Sequence, residues 1–160
     1  VKKIIIFFLF SFTTPCFSED HPKSTSLDEA TINIPEKWNV KKNNNCLIIK
    51  AEHVYASDYL KLCRNVSNEE SDYFTMNDNG KWEAVTDGIP VLANIKTSSK
   101  FTGMSAVVSC KYKDDTGYHS EQCFQAEIKL PQKVNFIFTG RGNPSLFSDY
   151  NKVYLSFMIK

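Results

Sequence analysis

Two long β-rich stretches, "KFTGMSAVVSCKYK" from Lys100 to Lys113 and "YHSEQCFQAEIKL" from Tyr118 to Leu130, flank the segment Asp114-Asp115-Thr116-Gly117. Asp and Gly favour a chain reversal, so the two stretches are expected to run antiparallel. A pair of this length needs further strands or a helix to cover its apolar face. The sequence supplies them. "SDYFTM" and "KWEAV" bracket "NDNG", whose Asn-Gly pair provides the positive φ values of a tight hairpin turn. "KVNFIF" and "KVYLSFMI" are expected as closing strands, with Phe136, Phe138, Tyr154, Phe157 and Ile159 in or near buried positions. The segment between them, "TGRGNPSLFSDYN", contains two glycines and Pro144, which argue against regular structure there.

Toward the N-terminus the pattern is less uniform. "INIPEKWNV", Ile32 to Val40, alternates apolar and polar residues but contains Pro35, which allows a short edge strand at best. "KKNNN" reads as an exposed connection. "LII" in Cys46 to Lys50 reads as strand, and a short helix is expected from about Ser57, with Ser57 as N-cap and Asp58 in the first turn. The expected fold class is therefore mainly β, an antiparallel sandwich or barrel of about eight short strands with one minor helix.

The chain opens "VKKIIIFFLFSFTTPCFSED": two lysines, an apolar run, then small residues. This is the pattern of a secretory signal peptide, with cleavage expected after Ser18. Its apolar core falls short of the roughly 20 residues a spanning helix needs, so no membrane association is expected after cleavage. A lipidated Cys16 is the rival reading, but Thr-Thr-Pro precedes it instead of the Leu and small residues of bacterial lipoproteins. Val1 in place of an initiator Met reads as a literally translated GTG codon and points to a bacterial gene. The expected organisation is signal peptide over 1–18, a disordered lead-in over 19–31, and one β-rich domain over 32–160. The lead-in expectation rests on the polar "EDHPKSTSLDEAT", which offers little to bury.

Charge excludes one class of partner. The chain has 19 basic and 18 acidic residues, and loss of Lys2 and Lys3 with the leader leaves 17 against 18. Such a balance provides no strong field for nucleic acid.

Four cysteines follow the leader: Cys46, Cys63, Cys110 and Cys123. An even count in an exported chain points to two structural disulfides, with three connectivities open. No Cys-x-x-Cys or Cys-x-x-His pair is present, so no zinc site is expected, and a paired cysteine has no thiolate for nucleophilic chemistry.

Other candidate chemistry is sparse. Aligning Gly80 with the turn glycine of a calcium loop places Thr75 and Thr86 where the first and last ligands belong, which leaves too little charge for the ion. "GMSAV", Gly103 to Val107, lacks the second glycine of a nucleophile elbow and continues as strand. His21, His53 and His119 could be assembled with a serine and an acid only arbitrarily; His119 is the least implausible base. No catalytic residue, cofactor or metal is expected. The acids of "NEESD" and "KDD" read as solvated turns. Aromatic side chains carry more weight: Trp38, Trp82 and Tyr73 are the candidate ligand-binding residues, suited to a glycan-stacking or protein-binding surface.

From Cys63 onward, "CRNVS", "YFTMNDNGKWEAV" and "FTGMSAVVSCKY" resemble a family of small exported gammaproteobacterial proteins that carry an uncharacterised domain. Cys63, Val66, Ser67, Gly80, Trp82, Phe101, Gly103, Cys110 and Tyr112 occupy the family's characteristic places. Arg64, Ala84 and Met104 depart from its pattern, and the likeness covers residues 63–112. The resemblance implies a compact exported β domain and a Cys63–Cys110 bridge, which would leave Cys46 with Cys123. It brings no catalytic residues. The resulting expectation is a monomeric, periplasmic or secreted, non-enzymatic binding module for a protein or glycan partner. The alternative expectation is a small secreted hydrolase, or an effector or inhibitor acting outside the cell.

Overall fold

The computed structural model describes residues 22–52, 55, 57–66, 74–76, 78–79, 82–84, 92–97, 101–114, 117–131 and 134–160. The expected signal peptide, Tyr73, His21 and His53 lie outside the described residues.

The chain is mainly β, antiparallel and stapled by disulfides, as its sequence indicated. Its elements are β1 (Lys23–Leu27), β2 (Ala30–Ile34), β3 (Asn39–Asn43), β4 (Cys46–Lys50), β5 (Tyr59–Val66), β6 (Phe74–Met76), β7 (Trp82–Ala84) and β8 (Leu92–Thr97). They continue with β9 (Thr102–Asp114), β10 (Gly117–Lys129), β11 (Val134–Arg141), a single 3-10 turn (Pro144–Leu146), α1 (Phe147–Leu155) and β12 (Met158–Ile159). The described strands form a seven-stranded sheet, β3-β4-β5-β11-β10-β9-β8, a small sheet, β1-β2-β12, and the separate β6-β7 hairpin.

The long pair at the centre is β9 and β10, in register from Asp114 opposite Gly117 to Thr102 opposite Lys129. The strands on either side of the expected Asn-Gly turn also pair, with Met76 opposite Trp82, while Asn77, Gly80 and Lys81 lie outside the described residues. Period-two alternation gives the large sheet two different faces. One carries Leu47, Ile49, Leu60, Leu62, Val107, Phe124, Ala126, Ile128, Phe136 and Phe138, all buried. Over it lie α1 and the small sheet, which contribute Phe147, Tyr150, Val153, Tyr154, Leu27, Ile32 and Ile34 to the same core. The result is a sandwich whose second layer is part sheet, part helix. On the opposite face Phe74 of the hairpin joins Met104, Ala106 and Val108 in a smaller cluster.

Aromatic rings join the layers. Phe138 meets Tyr154 edge to face at 5.5 Å between centroids, and Phe157 meets Phe101 at 5.5 Å and Phe136 at 5.1 Å. Such pairs add to simple area burial because edge and face carry opposite partial charge. Polar ties complement them: the Ser105 hydroxyl of β9 donates to Asn151 Oδ1 of α1 at 2.7 Å.

Four sequence expectations are corrected. The part of the lead-in that is described, from Pro22, is not disordered: β1 and β2 form a hairpin with Leu27 opposite Ala30. Leu27, Ala30, Ile32 and Ile34 are each about 1% exposed, so four well-placed apolar residues suffice to bind an otherwise polar hairpin. Asp28 turns it with φ 52°, a conformation Asp tolerates.

Secondly, "KKN" of the expected connection belongs to β3, and Asn44, at φ 49°, turns the chain into β4. β3 is an edge strand carrying Lys41 and Lys42, charges that discourage pairing with another chain.

Thirdly, no helix starts at Ser57. Tyr59–Val66 is an interior strand, because Leu60 and Leu62 alternate into the core and β11 pairs along its whole length. Asp58, instead of opening a helix, accepts a hydrogen bond from the Asn143 N–H at 3.2 Å.

Fourthly, the helix lies where irregular structure and a closing strand were expected. Asn143 accepts from the Ser145 N–H at 3.0 Å and Pro144 occupies the first helical position, a start signal that precedes α1 by one turn. Phe147, Tyr150, Val153 and Tyr154 then recur at helical spacing on the buried face.

The disulfides also differ from those the resemblance implied. They join Cys46 to Cys63 and Cys110 to Cys123. Strand pairing decides this, since Cys46 stands directly opposite Cys63 across β4 and β5. Cys110 and Cys123 lie diagonally across β9 and β10, with Cα atoms 5.9 Å apart. Each bridge closes a hairpin already held by main-chain hydrogen bonds. A closed loop of this size restricts the unfolded chain by about 3 kcal/mol.

A charged latch holds the first hairpin at the sheet. Arg64 Nε donates to both carboxylate oxygens of Glu29, at 3.0 and 3.2 Å, and lies 3.7 Å from Asp28. Burial raises the Glu29 carboxyl, but its own backbone hydrogen bond and the Arg64 guanidinium outweigh this and hold it below its ordinary value. Since the folded form releases its proton more readily, this contribution is complete above the unfolded carboxylate range. It is lost as pH falls through the folded value. The stability difference between wild type and Glu29→Gln is expected to be below about 1 kcal/mol near neutrality, given the partial exposure. It should shrink toward zero in acid, as read by urea unfolding at several pH values. A difference that grows in acid would contradict the latch.

Candidate functional site

The site is best seen by starting from Ser156, the residue that ends α1. Its hydroxyl accepts the Asn33 N–H of β2 at 2.8 Å and donates to the Val153 carbonyl at 2.6 Å. This ties the helix end to a strand 123 residues earlier in sequence. Beyond β2, Pro35 starts a turn closed by the Trp38 N–H on the Pro35 carbonyl at 3.0 Å, which brings Trp38 back beneath α1. There its ring meets Tyr150 edge to face at 5.8 Å.

Between the β2 end, this turn and α1 runs an open groove of about 610 Å³. Ile34, Pro35, Trp38 and Val153 provide its apolar lining, and Pro22 stands at the point where the described chain begins. Asn33, Asp149, Lys152 and Ser156 provide the polar lining. Its volume lies in the usual range of small-ligand sites, and a mainly apolar surface with a few convergent polar groups is their usual composition.

The polar groups are not equally engaged. Lys152 donates to Asp149 Oδ1 at 2.7 Å, across one helical turn, and the pair leaves the groove without net charge. The second carboxylate oxygen of Asp149, the side-chain amide of Asn33 and the indole N–H of Trp38 meet no hydrogen-bond partner among the described residues. Both bonds at Asn33 are through its main chain.

Beneath the groove lie two fully buried phenols, Tyr150 and Tyr154. Burial, followed by the nearby Asp58 carboxylate and Tyr59, pushes the Tyr150 phenol well above its ordinary range; burial alone does so for Tyr154. The Tyr150 hydroxyl donates to the Arg141 carbonyl at 3.3 Å. Neither phenol is available as a proton donor to solvent.

Of the residues singled out in the sequence, Trp38 lines this groove. Only 7% of its surface is exposed, so it forms part of the floor and not an open stacking platform. Trp82 begins β7, on the opposite side of the large sheet from the main core, and its side chain is outside the described part of the structure. The structure therefore does not bring Trp38 and Trp82 together at the groove. His119 lies within β10, and its side chain is likewise undescribed.

Sequence reasoning missed Asn33, Asp149, Lys152 and Ser156. The cap at Asn143-Pro144 could have placed α1, and with it Asp149 and Lys152 one turn apart on a single side. No local signal could have joined them to Asn33. Among the described residues, no group of three or more His, Cys, Asp or Glu side chains is gathered closely enough to hold a metal ion, and no helix is long and apolar enough to cross a membrane.

No family model and no curated protein matches the chain. A crystal structure from Bacteroides thetaiotaomicron aligns with 87% of this chain at 10% identity and a TM-score of 0.42, and the chain spans 48% of that protein's length. A likeness at this level carries no argument about fold or function.

Proposed function

We propose that the chain is a non-enzymatic binding module of an exported bacterial protein, and that the groove between β2 and α1 is its ligand site. The observation that carries this reading is the groove itself: an apolar lining with Trp38 at its floor, beside the polar residues Asn33, Asp149, Lys152 and Ser156. Two disulfides within paired strands support assembly in an oxidising compartment, in agreement with the leader-like N-terminus. The resemblance across residues 63–112 supports an exported gammaproteobacterial origin.

The test is equilibrium binding of the oxidised mature protein to immobilised glycan and peptide arrays, repeated with Asp149→Ala/Lys152→Ala. Both residues are on the helix surface, so the double variant should fold and melt within a few degrees of wild type. At least one ligand class should be retained by wild type and lost at least tenfold by the variant. Equal retention of every ligand by both proteins would move the site elsewhere.

A further inference from the structure

We propose that the Cys46–Cys63 bridge is a redox-sensitive clasp, opened by a dithiol while Cys110–Cys123 stays closed, and that its opening loosens the tip of the N-terminal hairpin. Access separates the two bridges. Leu47 and Leu62 point into the main core, so Cys46 and Cys63 lie on the other face of the large sheet, where both are half-buried and open to an attacking thiolate. Cys123 is fully buried, opposite Val108 of the smaller apolar cluster. Its sulfur is shielded, and attack on Cys110 would expel the Cys123 thiolate into apolar surroundings, where the charged form is disfavoured. Expulsion of Cys63 meets the opposite condition: Lys61, exposed and two residues along the same face of β5, favours the thiolate.

The exchange balances in two steps. One thiolate of the dithiol attacks Cys46 Sγ, the S–S bond breaks, and Cys63 leaves as a thiolate that takes up a proton. The second thiol, deprotonated, attacks the mixed disulfide and expels Cys46, which is protonated in turn. Two electrons and two protons pass to the bridge, and the dithiol becomes a disulfide.

Strand order decides what the bond holds. Among the described strands β3 joins the large sheet through β4 alone, and the bridge ties the first residue of β4 to β5. Beside it, the Arg64 main-chain N–H donates to the Asn45 carbonyl at 2.9 Å, and the Asn45 side-chain amide donates to the Arg64 carbonyl at 3.0 Å. Lys42 of β3 and Arg64 of β5 both reach the acids at the tip of the β1-β2 hairpin. Lys42 Nζ lies 3.9 Å from Asp28, and Arg64 Nε 3.0 Å from Glu29. The tip is thus gripped from two strands whose separation the bridge fixes. With the bond open, β3 and β4 part from β5 at this end and the grip slackens.

The experiment treats the oxidised mature protein with stepped dithiothreitol, alkylates free thiols at each step and maps the labels by peptide mass spectrometry. Cys46 and Cys63 should be labelled at a dithiothreitol concentration roughly tenfold or more below that needed for Cys110 and Cys123. Amide hydrogen exchange of the singly reduced protein should quicken roughly tenfold at residues 26–31 and in β3 and β4, and stay unchanged in β9 and β10. The Cys46→Ser/Cys63→Ser variant, without reductant, should show the same exchange pattern. Labelling of Cys110 and Cys123 first, or of both bridges together, would overturn the assignment of the labile bond. Unchanged exchange at residues 26–31 once Cys46–Cys63 is open would overturn the clasp, as would loss of protection throughout the large sheet.

Discussion

Replacing Tyr150 with alanine is expected to lower the unfolding free energy by about 3–5 kcal/mol, the range for deleting a buried aromatic ring. Tyr150 is completely buried and stands where the two layers meet. Its ring contacts Trp38 at 5.8 Å, Phe124 at 6.2 Å and Phe147 at 6.0 Å, and so joins the groove floor, the large sheet and the start of α1. Gly140 on β11 makes room for it, since a Cβ there would lie 2.5 Å from a Tyr150 ring carbon. Tyr150→Phe separates ring from hydroxyl: only the hydrogen bond to the Arg141 carbonyl is lost, at about 1 kcal/mol. Urea unfolding of the three proteins measures both effects. If the alanine variant lost no more than the phenylalanine variant, Tyr150 would not be the packing link described.

The second large effect is expected at Gly142, where the chain leaves β11 for the helix. Its φ is +97°, a region that L side chains rarely adopt, and a Cβ would overlap the Asp58 carboxylate while lying 2.7 Å from the Asp58 Cα. Gly142→Ala combines backbone strain with displacement of the side chain that receives the Asn143 N–H. About 2–4 kcal/mol of destabilisation is expected. Adding Asp58→Ala should recover only part of it, because the contact with the Asp58 main chain persists. A Gly142→Ala protein within about 0.5 kcal/mol of wild type would show that the loop relaxes freely, and full recovery in the double variant would assign the whole cost to the carboxylate.

These two positions also show why parts of the chain were illegible beforehand. The β6-β7 and β9-β10 pairs are local: alternating side chains lie close together in sequence, and both strand pairs formed as read, although Asn79 does not take the positive φ expected of it and most of the two turns lies outside the described residues. The region around Ser57 was misread because a possible N-cap was weighed without its surroundings. The Asp58 carboxylate is claimed by Asn143, 85 residues away, and β11 supplies the strand partner. The closing segment was misread in the opposite sense: "VYLSF" has enough aromatic character for a strand, while its buried positions Val153, Tyr154 and Phe157 follow helical spacing as well. The cap at Asn143-Pro144 was present in the sequence, but the neighbouring glycines masked it.

For the candidate site the division is sharper. Trp38 stood out in the sequence as an aromatic suited to a binding surface, and the fold places it at the groove floor as a buried member of the main core. Its partners in the groove did not stand out, since Asn33 approaches Ser156 only after the N-terminal hairpin has settled on the helix. What the sequence by itself determined is the β architecture, a consequence of side-chain period and local backbone preference, together with which cysteines were there to pair. Only the tertiary structure decided which cysteines pair, where the helix lies and how the groove is assembled. Those outcomes depend on which strands and rings bury one another, and burial is a property of the whole chain.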